Sequence, residues 1–204
     1  MDEDDELMIA VQSGNPDAFR RLVEKHERAL VSFLYLNTRD WQLAEDLTQD
    51  TFLRVYDQSW DYLPVGKFRA WMFRIARNHL IDTVRKRAHD ALVKAVKGIR
   101  DERDLLAEVA SNVVSPTDTA NYHELADLID ETLRQLPDEQ RLTFTMHHFS
   151  GLPLAEIATV LDTSIPTTKS RLRLAREKLQ ERLAERGLAP REAEATMEKD
   201  SETT

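Results

Sequence analysis

Residues 154–179 read LAEIATVLDTSIPTTKSRLRLAREKL, and their spacing decides the fold. Leu154, Ile157, Ala158 and Leu161 fall at i, i+3, i+4 and i+7, the pattern of a short amphipathic helix. Asp162-Thr163-Ser164 reads as a turn, with Ser164 a natural N-cap for the next helix. In that helix Ile165, Thr168, Leu172, Ala175 and Leu179 form one stripe expected to face the core. The opposite face presents Thr167, Ser170, Arg173 and Leu174, flanked by Lys169, Arg171, Arg176 and Lys178. A helix fits the DNA major groove, where its first turns reach base edges while basic flanks hold phosphates. A helical hairpin with a solvated basic face has the same pattern, so this stretch alone leaves both readings open.

Working outward, the chain reads as all-α, with no convincing period-two alternation. A short helix from about Asp5 ends at Gly14, and Asn15-Pro16 caps and starts a second. The second carries Phe19, Leu22, Val23, Leu30, Phe33 and Leu34 at core-like spacing. A third runs from about Asp40 to Gln58, and Pro64-Val65-Gly66 breaks the chain before a fourth, Phe68 to Ala88. Beyond residue 121 helices are expected at 122–135, 138–149, 154–161 and 165–186, the last stopped by Gly187 and Pro190. Ser111 to Asn121 is loop chemistry with few apolar anchors. The expected organisation is therefore two small helical domains, residues 1–90 and 122–186, joined by a flexible linker at 91–121. The C-terminal domain is the helix-turn-helix, and a tail at 187–204 is expected to be disordered.

Of the 204 residues 41% are hydrophobic and 32% charged, the balance of a soluble globular chain. There is no cysteine, which excludes a disulfide scaffold and any thiolate metal site. The N-terminus, Met1-Asp2-Glu3-Asp4-Asp5-Glu6, is acidic where a signal peptide is basic and then apolar. No apolar run approaches the roughly 18 residues that span a bilayer. A cytoplasmic protein with no direct membrane insertion is expected. The net charge of −9 argues against nucleic acid until its distribution is read. From Lys67 to Arg87 seven basic residues face one acid, Asp82, and from Lys169 to Arg182 six face two, Glu177 and Glu181. Such a chain binds DNA poorly alone and better when a partner presents it.

The Phe68–Ala88 helix carries two stripes. Phe68, Met72, Ile75, Ala76 and Leu80 are expected inside. Trp71, Arg74, Asn78, Ile81 and Arg85 share another side, the chemistry of single-stranded nucleic acid: bases stack on aromatics, cations follow the backbone, and an amide reads an extruded base. A core Trp71 with solvated arginines has the same periodicity. The helix around Ala44–Tyr56 is opposite in charge. Ala44, Leu47, Thr51 and Val55 make its inner face, while Glu45, Asp46, Gln49, Asp50 and Asp57 ring Leu53 on the outer one. That suits docking on a basic partner helix, although such a face is commonly only solvated.

Three segments in order resemble one family. Ala44-Glu45-Asp46-Leu47-Thr48-Gln49-Asp50-Thr51-Phe52 resembles the polymerase-binding helix of extracytoplasmic-function sigma factors. Phe68-Arg69-Ala70-Trp71-Met72-Phe73-Arg74-Ile75-Ala76-Arg77-Asn78 resembles their −10-element helix. Leu136-Pro137-Asp138-Glu139-Gln140-Arg141, Gly151-Leu152 to Leu161, and Thr167-Thr168-Lys169-Ser170-Arg171-Leu172 resemble their −35-reading domain. The resemblance implies an alternative sigma factor for stress-responsive transcription, one that binds core polymerase and melts promoters without being an enzyme. It implies no cofactor and no metal. Asp46, Leu47, Gln49, Asp50 and Phe52 match the surface that grips the polymerase clamp helices, and Leu53, ringed by those acids, is expected to join it. The −10 contacts expected on that helix are Trp71, Arg74, Arg77, Asn78 and Arg85, of which Asn78 matches the residue at a flipped base, with the Asp61–Gly66 loop matching the one that helps to form its pocket. Thr167, Lys169, Ser170 and Arg173 match −35 major-groove contacts, and Arg171 and Arg176 phosphate contacts. Partners implied are the polymerase core, promoter DNA (duplex at −35, single-stranded at −10) and an anti-sigma factor. Pro166 stands where the family often has glycine, and Thr168 where valine is usual.

Two other classes compete. A self-sufficient DNA-binding regulator has no need of a second nucleic-acid face, and this chain shows no heptad seam for dimerisation. An enzyme finds no support: His147 and His148 are adjacent and point about 100° apart on a helix, and no HExxH or carboxylate-pair motif accompanies them.

Overall fold

A computed structural model of the chain describes residues 2–96 and 120–186. The expected tail and most of the expected linker lie outside them. Among the described residues eight α-helices run in the order α1 (Glu3–Gln12), α2 (Pro16–Thr38), α3 (Trp41–Asp57), α4 (Phe68–Val96), α5 (Ala120–Gln135), α6 (Asp138–His148), α7 (Leu154–Val160) and α8 (Ile165–Glu185). A 3₁₀ turn, Ser59–Asp61, follows α3, and the described residues contain no strand.

The boundaries follow local chemistry. Asp2 accepts the Asp5 N–H at 2.9 Å and caps α1. Gly14, at φ +85°, turns the chain in a conformation that glycine takes freely. Asn15 caps α2 ahead of Pro16, and Asp40 caps α3 through the Leu43 N–H at 2.9 Å. Helix α4 does not stop at Ala88 but continues to Val96. No glycine or proline interrupts residues 68–96, so nothing local ends it.

Helix α4 lies at the centre. Phe68, Ala70, Met72, Phe73, Ile75, Ala76 and Leu80 are all buried, a wider apolar arc than the expected stripe. The extra residues are Ala70 and Phe73, and Phe73 meets the edge of Phe33 on α2 at 5.3 Å between ring centroids. The arc is wide because α2 and α3 cover α4 on one side and α7 covers it on another. Leu142, Met146, Leu152, Ile157, Val160 and Leu161 of the C-terminal half therefore share one apolar cluster with the N-terminal helices. A second cluster, Leu133, Leu136, Phe144, Leu172, Ala175 and Leu179, belongs to α5, α6 and α8. Polar links cross the same seam: Asn37 donates to Thr145 Oγ1 at 3.1 Å, and Arg39 pairs with Asp130.

Burial bears on three of the expected faces. Leu47 and Phe52 were expected on the docking surface, yet they are 2% and 6% exposed. They lie on the inner side of α3 and hold it to the core. Ile165, expected in the core stripe of α8, is 51% exposed, because it opens the helix before the first turn has packed. Trp71 is half-buried rather than free, packed against the core beside Tyr62 and Phe68.

Inside the N-terminal half, Asp4 is buried with His26 at 3.0 Å and Lys25 at 2.7 Å. Burial opposes the Asp4 charge, but hydrogen bonds from Lys25 and His26 prevail and hold its carboxyl below the usual range. Burial lowers the His26 imidazole below its ordinary 6.5, with Asp4 acting the other way. Both shifts are depressions, so each group binds its proton more readily in the unfolded chain. Stability from these groups is present above their ordinary values and lost as pH falls through the lowered ones. The unfolding midpoint is expected to decline as pH drops below 6.5. His26→Gln should flatten the first part of that decline, measured by thermal denaturation across pH.

Candidate nucleic-acid interface

The chain break before α4 does more than turn a corner. After the Ser59–Asp61 turn, residues Tyr62–Lys67 fold back along the start of α4 and form one wall of a cavity of about 280 Å³. Its lining includes Tyr62, Leu63, Val65 and Lys67 from the loop and Trp71 and Arg74 from α4. Tyr62 is the hinge of this arrangement. It is 4% exposed, and its ring lies 5.1 Å from Trp71 and 5.9 Å, edge-on, from Phe68. Its hydroxyl donates to Asp5 at 2.5 Å. Burial, reinforced by that carboxylate, pushes the Tyr62 phenol far above its ordinary range, so it remains a donor. An aromatic wall, a lysine and an arginine around a cavity of this size suit a flat, electron-rich group attached to an anionic chain.

The cavity is closed from the other side by Thr159 and Val160 of α7. Helix α7 thus occupies space directly over Trp71 and Arg74. Nearby, a Cβ at Gly151 would stand 3.0 Å from the Arg69 guanidinium.

Further along α4 the polar side is open. Arg74, Asn78 and Arg85 are exposed and Arg77 is half-buried. Arg77 donates to Asn78 Oδ1 at 3.1 Å. Asn78 is not among the residues lining the cavity; it stands one helical turn beyond Arg74. Trp71 and Arg74 are brought together at the cavity, while Asn78 and Arg85 continue the same face away from it.

On α3 the acidic outer face is as expected for Asp46, Gln49 and Asp50, which are exposed around Leu53 at 60% exposure. Asp46 accepts from Gln42 at 3.2 Å and Asp50 meets His79 at 3.1 Å. Trp41 and Tyr56, exposed by half, extend the apolar content of this side.

Helices α7 and α8 form the helix-turn-helix. Asp162 turns the chain at φ +50°, a conformation that aspartate tolerates. Ser164 caps α8 through the Thr167 N–H at 3.2 Å, and Pro166 sits in the first turn without breaking the helix. Thr168, Leu172, Ala175 and Leu179 are buried, which leaves Thr167, Lys169, Ser170, Arg173 and Arg176 on the exposed side. Several of these are already engaged. The Thr167 hydroxyl meets Ser164 Oγ at 2.8 Å, Arg173 pairs with Glu177 at 2.5 Å, and Arg176 donates to His148 at 3.3 Å. Arg171 is turned toward Glu139 on α6 and pairs with it.

The Asp61–Gly66 loop expected to help form the pocket does line the cavity, but Tyr62 within it, the neighbouring Lys67, and Thr159 and Val160 of α7 were not singled out. The aromatic at Tyr62 between Trp60 and Pro64 was a usable signal; the α7 residues carried none, because their closeness to α4 is a tertiary fact. Among the described residues no group of acids and histidines could hold a metal, and no helix is long and apolar enough to cross a membrane.

Residues 22–90 match the model of Sigma-70 region 2, and residues 126–179 that of Sigma-70, region 4. The chain is 28% identical over 173 residues to the ECF RNA polymerase sigma factor SigW of Bacillus subtilis, covering 85% of this chain and 92% of that one. It is 30% identical over 186 residues to the RNA polymerase sigma-H factor of Pseudomonas aeruginosa, covering 89% and 94%. Among solved structures, the sigma factor RpoE in complex with the anti-sigma factor NepR from Bartonella quintana superposes with a TM-score of 0.65 at 25% identity, over 81% of this chain and 96% of that one.

The His148 imidazole is a direct probe of the α8 surface. Burial first, then the neighbouring Arg176 and His147, push it down to about 4. Arg176→Ala should move it part of the way back toward 6.5, as read by a proton NMR titration of the ring. An unchanged value would mean that Arg176 does not lie against His148 in solution.

Proposed function

The chain belongs to the extracytoplasmic-function sigma factors of bacterial RNA polymerase, and we propose that three of its surfaces divide the work of promoter recognition. The outer face of α3, with Asp46, Gln49, Asp50 and Leu53, docks on the polymerase core. The exposed side of α8, with Lys169, Ser170 and Arg173, reads the −35 duplex, and Arg176 follows its backbone. The cavity between the Tyr62–Lys67 loop and Trp71 and Arg74 takes an unpaired base of the −10 element, and Asn78 and Arg85 lead the displaced strand along α4.

The observation that carries this reading is the cavity itself. An aromatic wall and two cations stand at the start of a helix whose exposed side is basic, within the segment that matches region 2. The chain performs no bond chemistry in this account and acts in the cytoplasm, beside the polymerase. Melting follows from capture of extruded bases, each stacked base being worth roughly 1–3 kcal/mol. Thr159 and Val160 wall the same cavity, so a DNA strand enters only after α7 moves away from α4. The arrangement described is the closed one. Control by an anti-sigma factor belongs to this reading, and the complex of the related RpoE with NepR supports it.

The test is in vitro transcription with core polymerase free of other sigma factors, over a pool of promoter fragments, with and without this protein. Transcripts starting at defined sites only in its presence are expected. Failure to start any, combined with unaided binding of specific duplexes, would return the helix-turn-helix to a repressor. On the promoters so found, Arg173→Ala is expected to cost about 1–3 kcal/mol of discrimination at −35. Asn78→Ala should slow open-complex formation and leave −35 affinity intact. Equal loss of both would end the proposed division of labour.

A further inference from the structure

The loop that walls the cavity is held poorly by its own backbone. After the 3₁₀ turn its internal bonding is a Val65 N–H to Leu63 carbonyl contact at 2.9 Å. Trp60, Leu63 and Val65 project outward, 78%, 73% and 65% exposed. Apolar side chains in solvent give a loop no packing to fix its position.

Its anchors come from α1. Asp5 is wholly buried, and its two carboxylate oxygens accept the Tyr62 hydroxyl at 2.5 Å and the Gly66 N–H at 2.7 Å. Gln12 lies two turns further along the same side of α1. Its Nε2 donates to the carbonyls of Ser59 at 2.8 Å and Tyr62 at 2.9 Å. One face of one helix thus bonds the start, the middle and the end of the loop. Gly66 sits at φ +72°, a conformation open to glycine, which lets its N–H turn toward Asp5.

These bonds are selective. A buried carboxylate met by a phenol and a backbone amide, not by a cation, is costly to desolvate unless both hydrogen bonds are made. It therefore tolerates one placement of Tyr62 and Gly66. Attachment of α1 to the core does not need them, because Leu7, Met8 and Val11 are buried for that purpose. Helix α1 also precedes residues 22–90, the segment that matches region 2, so no role is carried to it by that match.

We infer that Asp5 and Gln12 are positioning residues that shape the −10 cavity, by fixing Tyr62 and the Ser59–Gly66 loop against Trp71. The inference rests on the reading of that cavity as the site of an unpaired −10 base.

The experiment uses holoenzyme assembled from core polymerase and the full chain. Open-complex formation is measured on promoters altered one base at a time at −10, on promoters altered at −35, and on a template already unpaired at −10. In Asp5→Ala and Gln12→Ala the preference among −10 bases is expected to fall about tenfold, the size of a few lost hydrogen bonds, on duplex and pre-opened templates alike. Preference at −35 and binding to core polymerase should not change. Asp5→Asn keeps an acceptor for Gly66 and offers a donor to the Tyr62 oxygen, so it should retain most of the preference. Gln12 is exposed, so its variant folds even if Asp5→Ala does not. Full −10 preference in Gln12→Ala and in any folded Asp5→Ala protein would overturn the inference. So would parallel losses at −10 and −35, which would mark a merely structural role. If wild-type holoenzyme itself ignored the −10 bases, the reading of the cavity would fall first and the inference with it.

Discussion

Helix α4 must be buried and legible at once. Its apolar arc from Phe68 to Leu80 anchors α2 and α3 on one side and receives α7 on another, while its remaining surface carries the basic residues proposed to meet the −10 strand. Every side chain on the inner arc is close-packed, and each of the large ones contributes about 1.5–3 kcal/mol through burial. A rotation of the helix that improved either task would spoil the other. Trp71 sits on the border between them: packed against the core on one edge, it offers the other to the cavity.

That double duty explains why the cavity needs help from elsewhere. A helix supplies a row of side chains but no concave surface, and concavity comes from the loop folded back over the start of α4. Since the loop has little bonding of its own, its shape is borrowed from α1, through a buried carboxylate and an amide. Helix α7 then makes the cavity's far wall, from the other half of the chain. Three segments distant in sequence converge on one small volume.

The helices themselves were largely legible. Periodicity at residues 154–179 and the caps at Asn15 and Ser164 place most boundaries within a residue or two of those observed. The inner face of α3 at Ala44, Leu47, Thr51 and Val55 was readable for the same reason. What could not be read were facts about two elements at once. The run Asp2–Glu6 looks like a uniformly solvated acidic stretch, yet Asp4 and Asp5 are buried and bonded. No local pattern separates them from Glu3 and Glu6. Likewise the width of the apolar arc of α4 has meaning only once α2, α3 and α7 are all known to cover it. Phe52 and Leu47, matched to a docking surface by resemblance, are buried in the fold, so a motif can include residues that build its helix.

The crowding of acids around the arginines of α8 has a consequence for how duplex DNA is gripped. Arg171 and Arg173 already hold Glu139 and Glu177. These surface pairs are weak, worth about 0–1 kcal/mol each, so DNA can break them. But an arginine that leaves a carboxylate for a phosphate exchanges one anion for another. The phosphate sheds a condensed cation, and the abandoned carboxylate draws one back from solution. The net release of counterions, which sets how steeply affinity falls with ionic strength, is therefore smaller than the number of basic residues at the interface. The protein's hold on duplex DNA should fade more gently with salt than a bare cationic helix of the same composition.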